Sequence, residues 1–395
     1  MDDPAPFRKR HAQAPRPVFV PGEKAEGVVG RKDGAAVVEA SARAGRGVLS
    51  NTAGRFEKTG TVALDDGWGS LDEPASRIST TVQPDKAKTV ISRNDSPDIS
   101  FDRSINAYRG CEHGCSYCYA RPTHAYLGLS PGLDFETRLF AKHDAAEVLE
   151  KELGAKGYAC QPVALGTNTD PYQPVEKKLV ITRALLEVLE RWNHPVTIVT
   201  KSALITRDID ILARMAERNL AKVAISVTTL DRRLARRMEP RAATPDRRLD
   251  AIRALSGAGI PTGIMTAPII PGLTDHETEA ILEAGAAAGA RIAAYVLLRL
   301  PMEVRDLFTE WLTAALPERA PRVMALVRDI RAGKLNSAEF GVRQRGQGPY
   351  AEMIARRFRL ACARLGLDTT RSNALDMTQF RPPLASGGQM ALFGD

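Results

Sequence analysis

Three of the chain's five cysteines lie close together, as Cys111, Cys115 and Cys118 in the stretch RGCEHGCSYCYARP. An odd count with three clustered points to a metal site rather than a disulfide framework. Two kinds of metal suit such a loop. Structural zinc closes on four N or S ligands, and His113 or His124 could supply the fourth. Zinc ribbons usually pair C-x2-C with a second pair downstream, however, and here only the isolated Cys160 follows the loop before the core helices. The other option is a [4Fe-4S] cubane, which normally takes four cysteines. With three, one iron has no protein ligand and is open to a substrate or cofactor. Gaps of three and two residues let one loop wrap such a cage. Gly110 and Gly114 permit close backbone approach, and Tyr117 and Tyr119 flank Cys118 to shield it from water.

A loop of this kind needs a scaffold, and the sequence after Ile105 supplies a repeating one. Strand-like runs at 162–166, 195–201, 222–231, 260–270 and 291–301 alternate with helical patterns at 183–192, 207–219, 245–259 and 275–290. Strand, helix, strand in repetition means parallel strands joined by right-handed crossovers, an α/β fold. Polar or turn residues cluster after the strands: Thr167-Asn168-Thr169-Asp170, Lys201-Ser202, Thr228-Thr229-Leu230-Asp231 and Pro271-Gly272-Leu273-Thr274-Asp275. Both an open doubly wound sheet and a barrel carry their ligand sites at these ends. Several ends converging on one site favours a full or partial barrel, and the lack of a G-x-G-x-x-G turn weakens dinucleotide binding. Helical patterns continue at 304–316, 322–333 and 349–367, where Ile354, Phe358, Ala361, Cys362 and Leu365 share one face, so Cys362 reads as core.

The 395 residues are 44% hydrophobic and 26% charged, which suits an ordinary globular protein with room for a large core. No apolar run is long enough to span a bilayer, and the polar, Pro-rich start does not read as a secretory signal, so a cytoplasmic location and no membrane partner are expected. The net charge of +8 is uneven. Residues 318–364 carry eleven Lys/Arg against four Asp/Glu, and residues 231–253 eight Arg against four acids. Such stretches either attract nucleic acid or form solvated helix faces. Residues 1–95 show little periodicity and read as an irregular, partly disordered extension, with Phe56 and Trp68 as anchors; 381–395 read as a loose tail.

The C-x3-C-x2-C spacing, with Tyr117 just before the third cysteine, resembles the signature of the radical S-adenosylmethionine (SAM) enzymes. SINAYRGCEHGCSYCYARPTH and the later GTNTDPYQPVEKK resemble the branch that includes spore photoproduct lyase, over about residues 95–300. That resemblance implies a partial (β/α)6 TIM-like radical SAM barrel at 96–301, followed by a helical C-terminal segment at 302–380. It implies a [4Fe-4S] cluster on Cys111, Cys115 and Cys118, with SAM chelating the open iron. One electron, from reduced ferredoxin or flavodoxin, would cleave SAM to a 5′-deoxyadenosyl radical that takes hydrogen from a substrate, nucleic acid being one class. SAM contacts are carried over to Tyr117, to Thr167-Asn168-Thr169-Asp170 with Asp170 on the ammonium, to Lys201 and Ser202, to Ser226 at the ribose and to Arg241 at the carboxylate. Ile269 and Ile270 are placed at the adenine, and Tyr172, Tyr295 and Arg299 towards the barrel mouth. The hydrogen-donating cysteine of spore photoproduct lyase is replaced here by Gly166, while Cys160 falls at the opposite strand end with no basic neighbour. Two other readings remain at this point: an iron–sulfur electron carrier or sensor, and a zinc-stapled nucleic-acid binder.

Overall fold

The computed structural model describes residues 38–57, 76–370 and 374–383. Its strands are β1 (Thr81–Pro84), β2 (Ile91–Arg93), β3 (Arg103–Ile105), β4 (Tyr108–Arg109), β5 (Arg138–Ala141), β6 (Val163–Leu165), β7 (Val196–Thr200), β8 (Ala221–Ser226), β9 (Thr262–Ile269) and β10 (Ile292–Leu297). Seven form one sheet in the order β10-β9-β8-β7-β6-β3-β2. From β3 to β10 every neighbour is parallel, and β2 is antiparallel to β3. Helices Ala145–Leu153, Ile181–Arg191, Ile209–Glu217, Pro245–Gly257 and Thr278–Ala287 make the five crossovers between these six parallel strands. Among the described residues β10 and β2 are the two edge strands and do not pair with each other, so the architecture is a partial (β/α)6 barrel.

Register sorts the side chains. Ile198, Val223 and Ile225 are buried with the crossover helices, as are Ile264 and Tyr295. Tyr295 packs against Phe358 of helix Pro349–Leu365, ring centroids 4.6 Å apart. The alternate row pairs Val199 with Ala224, and Ser226 with Met265, which in turn pairs with Ala294. Small residues there leave the inner face open, and Ala294 is exposed in mid-strand.

The open seam is bridged by chain from both ends. Arg331 is buried and donates to Leu298 O (2.9 Å) and Val342 O (2.7 Å). The neighbouring Gly341 N–H and Arg343 side chain both reach Asp98, just beyond β2. C-terminal helices Val304–Ala315 and Ala320–Asp329 bury Phe308, Trp311, Val323 and Val327 together with Tyr117 and Leu298. Past the last long helix, Asp368 bridges Ile292, and Phe380 stacks on Trp192.

Several elements escape the sequence pattern. β3 is only three residues, Arg-Ser-Ile, too short to display alternation. The small sheet β1-β5-β4 is held by chain pairing of short segments. Strands expected to reach Asp231 and Pro301 end at Ser226 and Leu297, because the polar ends turn into loops. Asp231 instead caps helix Arg232–Met238, accepting from Arg233 N (2.7 Å) and Leu234 N (3.2 Å). Phe56 packs tilted against Tyr126, ring centroids 5.2 Å apart, whereas Trp68 lies outside the described residues.

Candidate functional site

The cysteine loop leaves the first parallel strand through β4 and packs between the barrel and residues 38–57. Cys111 and Cys115 are buried, Cys118 is half-buried, and all three are free thiols. The loop is folded tightly: Cys111 N–H donates to Phe135 O (2.9 Å), Cys118 N–H to Cys115 O (3.2 Å) and Ser116 N–H to Met238 O (3.0 Å). Burial above all pushes the Cys111 and Cys115 thiols well above their ordinary range, and the charge of Cys118 acts on both. Burial raises Cys118 too, against the pull of Arg121. Thiols that are costly to ionise alone, within one another's field, suit a bound cationic group that removes the penalty. Among the described residues no three His, Cys, Asp or Glu are gathered to hold a single metal ion. Both histidines considered for zinc are already engaged. His124 turns Nε2 to Arg138 O (2.9 Å) and packs on Phe135, while His113 Nδ1 lies 3.3 Å from Asp170.

Arg121 and Glu136 hold the loop from below. The Arg121 guanidinium donates to Cys115 O (2.9 Å) and Gly132 O (2.9 Å) and pairs with Glu136 at 2.5 Å. Glu136 also accepts the amides of Gly47 (2.8 Å) and Val48 (3.2 Å). The N-terminal segment thereby lies directly on the cysteine loop. A Cβ on Gly47 would fall 1.5 Å from Gly114 O, so backbone meets backbone only because the residue is glycine. Neither the strap nor its ion-pair anchor was singled out from sequence; the GRG at 45–47 was the available signal.

At the strand ends the predicted residues fall into two groups. Lys201, Ser226 and the carbonyl of Ala267 form one cluster from the ends of β7, β8 and β9. Lys201 Nζ donates to Ser226 Oγ (2.7 Å) and Ala267 O (3.0 Å), and Ser226 Oγ to the same carbonyl (2.8 Å). Burial lowers the Lys201 pKa, while Cys115 raises it. The ammonium lies 5.9 Å from the Tyr117 ring centroid. Asp170 forms the second group, with the residues around it. Its carboxylate accepts from Tyr172 N (2.9 Å), Thr200 Oγ1 (2.6 Å) and Lys201 N (2.8 Å), with His113 beside it. Burial raises its pKa, but His113 and these donors outweigh that and bring it to about 2. Asp170, expected at an ammonium, thus holds an Asx turn and the start of the segment after β7. Ser202 is likewise a cap, its hydroxyl accepting from Leu204 N (3.2 Å). Thr167 lies against Asn106 (3.3 Å), Asn168 N–H donates to Asn106 Oδ1 (3.1 Å), and Thr169 Oγ1 donates to Tyr108 O (3.1 Å).

Tyr117 donates its hydroxyl to Glu239, which also accepts from Thr228 (2.5 Å) and pairs with buried Arg248. This buried network ties the cysteine loop to the loop after β8. Arg241 pairs with Glu112 at 3.0 Å, and its Nε is buried with no hydrogen-bond partner among the described residues. Ile269 and Ile270 are buried at the end of β9. Tyr172 and Tyr295 are core residues, not mouth residues, since their strand or loop positions turn them into the helix-facing core. Cys160 does have a basic neighbour: Arg103 lowers its pKa, but burial outweighs it and the thiol rises to about 11. Cys362 is buried in the core. Gly166 has φ +89°, and a Cβ there would meet Val199 O at 1.9 Å, which excludes a cysteine at that position. Much of the basic C-terminal stretch is engaged internally, with Arg343 on Asp98, Arg357 on Glu279 and Arg364 on Glu283.

A family model described as Radical SAM superfamily matches residues 105–285. The chain is similar to an uncharacterised protein of Mycobacterium tuberculosis, 39% identical over 232 residues, which is 58% of this chain and 68% of the relative. It is also similar to one of Methanocaldococcus jannaschii, 28% identical over 193 residues, 49% of this chain and 69% of the relative. A solved spore photoproduct lyase mutant with bound AdoMet and dinucleoside spore photoproduct superposes with a TM-score of 0.52 at 16% identity, covering 73% of this chain and 82% of that one. This likeness extends to the fold. Among the described residues no helix is long and apolar enough to cross a membrane. The matched span begins at the end of β3 and takes in the whole cysteine loop, and with it the chain belongs to the radical SAM superfamily, whose membership implies cleavage of SAM at an iron–sulfur cluster.

Proposed function

We propose that the chain is a radical SAM enzyme that takes a hydrogen atom from a substrate held at the barrel mouth. The observation that carries this reading is the buried loop bearing three free thiols at the C-terminal end of the first parallel strand. Cys111, Cys115 and Cys118 would each hold one iron of a [4Fe-4S] cluster, and a cubane with one iron open supplies the electron for reductive cleavage of bound SAM. The electron would come from a reduced ferredoxin or flavodoxin.

The remaining work belongs to this chain's own residues. Lys201, fixed by Ser226 and Ala267 O, places a positive charge beside the thiolates and offers its remaining proton to a carboxylate or ribose oxygen of SAM. Tyr117 is held by Glu239 so that its ring walls the same space, and Ile269 and Ile270 give an apolar surface for the adenine. Asp170 acts through others, fixing the Lys201 backbone and His113. The 167–169 segment is held at the strand end by Asn106, and Arg241 stays oriented by Glu112. The strap at Gly47 and the ring of Tyr119 exclude water from the thiols.

Anaerobically reconstituted protein tests this reading by electron paramagnetic resonance. The reduced protein should show a cubane signal that SAM changes, and Cys115→Ala should lose it. A cubane signal indifferent to SAM would contradict the proposal and favour an electron carrier or sensor; colourless protein with stoichiometric zinc would favour the zinc-stapled alternative.

A further inference from the structure

Arg299 stands two residues beyond β10, at the strand end where barrel ligands are held. Its guanidinium carbon lies 5.5 Å from the centroid of the Tyr119 ring. Tyr119 directly follows Cys118, and its hydroxyl donates to the Thr167 carbonyl beyond β6. The pair thus reaches across the barrel mouth, from the sixth parallel strand to the second. Arg299 Nε is buried and has no hydrogen-bond partner among the described residues. Among the described residues the carboxylate that acts on Arg299 is Asp98, and that group already receives Gly341 N–H (2.6 Å) and Arg343. Arg331, whose charge also bears on Arg299, donates to backbone carbonyls. Two guanidiniums (Arg299 and Arg343) therefore act on one carboxylate, with the Arg331 charge adding to the surplus of positive charge around Arg299.

A half-buried guanidinium without a counter-charge is costly unless something else answers it. Set against an aromatic ring, a guanidinium keeps its terminal N–H groups available for planar, two-point recognition of oxygen anions. Surplus positive charge and a planar fork suit the two-point geometry of a phosphate. We propose that Arg299, seated on Tyr119, anchors a phosphate group of the substrate. This deepens the radical SAM reading, and rests on it only in taking the barrel mouth as the place where substrate sits.

The test is equilibrium binding to the reconstituted full chain at low salt, without reductant. The probes are inorganic phosphate, deoxycytidine 5′-monophosphate, deoxycytidine and single-stranded oligodeoxycytidylate. Phosphate-bearing probes should bind the wild type, weaken by about tenfold or more in Arg299→Gln, and recover in part in Arg299→Lys, which keeps charge without the fork. Deoxycytidine should not respond to either change. An oligonucleotide held far more tightly than the mononucleotide would identify a nucleic-acid phosphodiester as the source. Equal binding would identify a small phosphorylated molecule; both support the phosphate anchor. Equal affinity of wild type and Arg299→Gln, or no phosphate binding at all, overturns it. So does an equal loss of SAM affinity in Arg299→Gln, which would assign the guanidinium to SAM. The assay requires no SAM cleavage, so a chain that binds phosphate but cleaves no SAM sinks the proposed activity alone.

Discussion

Arg121 and Glu136 form an ion pair with both side chains fully buried and their N and O atoms 2.5 Å apart. The pair joins two parts of the chain that are far apart in sequence. Arg121 holds the carbonyl of Cys115, and Glu136 holds the amides of Gly47 and Val48. A buried pair adds little over a well-packed apolar pair, but removing one partner leaves an unanswered charge. Glu136→Leu is expected to lose about 3–5 kcal/mol in urea unfolding of the metal-free protein. A loss under about 1 kcal/mol would show that Arg121 finds other compensation.

The contact of Gly47 with Gly114 makes a second prediction. A Cβ at Gly47 would fall 1.5 Å from the Gly114 carbonyl oxygen, so Gly47→Val must lift the strap from the cysteine loop. The reconstituted variant should bleach faster in air than the wild type, followed by visible absorbance, at unchanged anaerobic iron content. Identical decay would mean that the strap does not shield the thiols.

His194 sets a pH dependence remote from the site. Burial lowers its pKa to about 4, against its contact with Pro195 O, and Nε2 meets the Tyr158 hydroxyl at 2.8 Å. The folded chain keeps this imidazole neutral, whereas the unfolded chain takes up a proton below about pH 6.5. Stability should therefore fall as pH drops from about 6.5 towards 4, by roughly 3 kcal/mol from this residue. His194→Gln should flatten that window in urea titrations; an unchanged slope would assign it to other groups.

The long crossover elements were legible because they carry strong periodicity: Val196–Thr200 is β-branched, and Ile181–Arg191 has an apolar face. The cysteine spacing was legible because its chemistry is local. What escaped was set by distant contacts. The partners of Asp170, Thr200 and the Lys201 amide, lie thirty residues on and are brought against it only by the fold. Ser202 caps the next turn, a role that its position in the sequence did not single out. The strap depends on Glu136, which reads in sequence as one acid among many. Arg299 gained significance only once Asp98 was engaged by Arg343, a residue 245 positions away.

The central claim is that three thiols on one buried loop support reductive cleavage of SAM. The most direct measurement is quantification of 5′-deoxyadenosine after dithionite and SAM are added to anaerobically reconstituted protein, beside Cys115→Ala. The account predicts product from the wild type and none from the variant. An intact cubane in the wild type that yields no 5′-deoxyadenosine would contradict it.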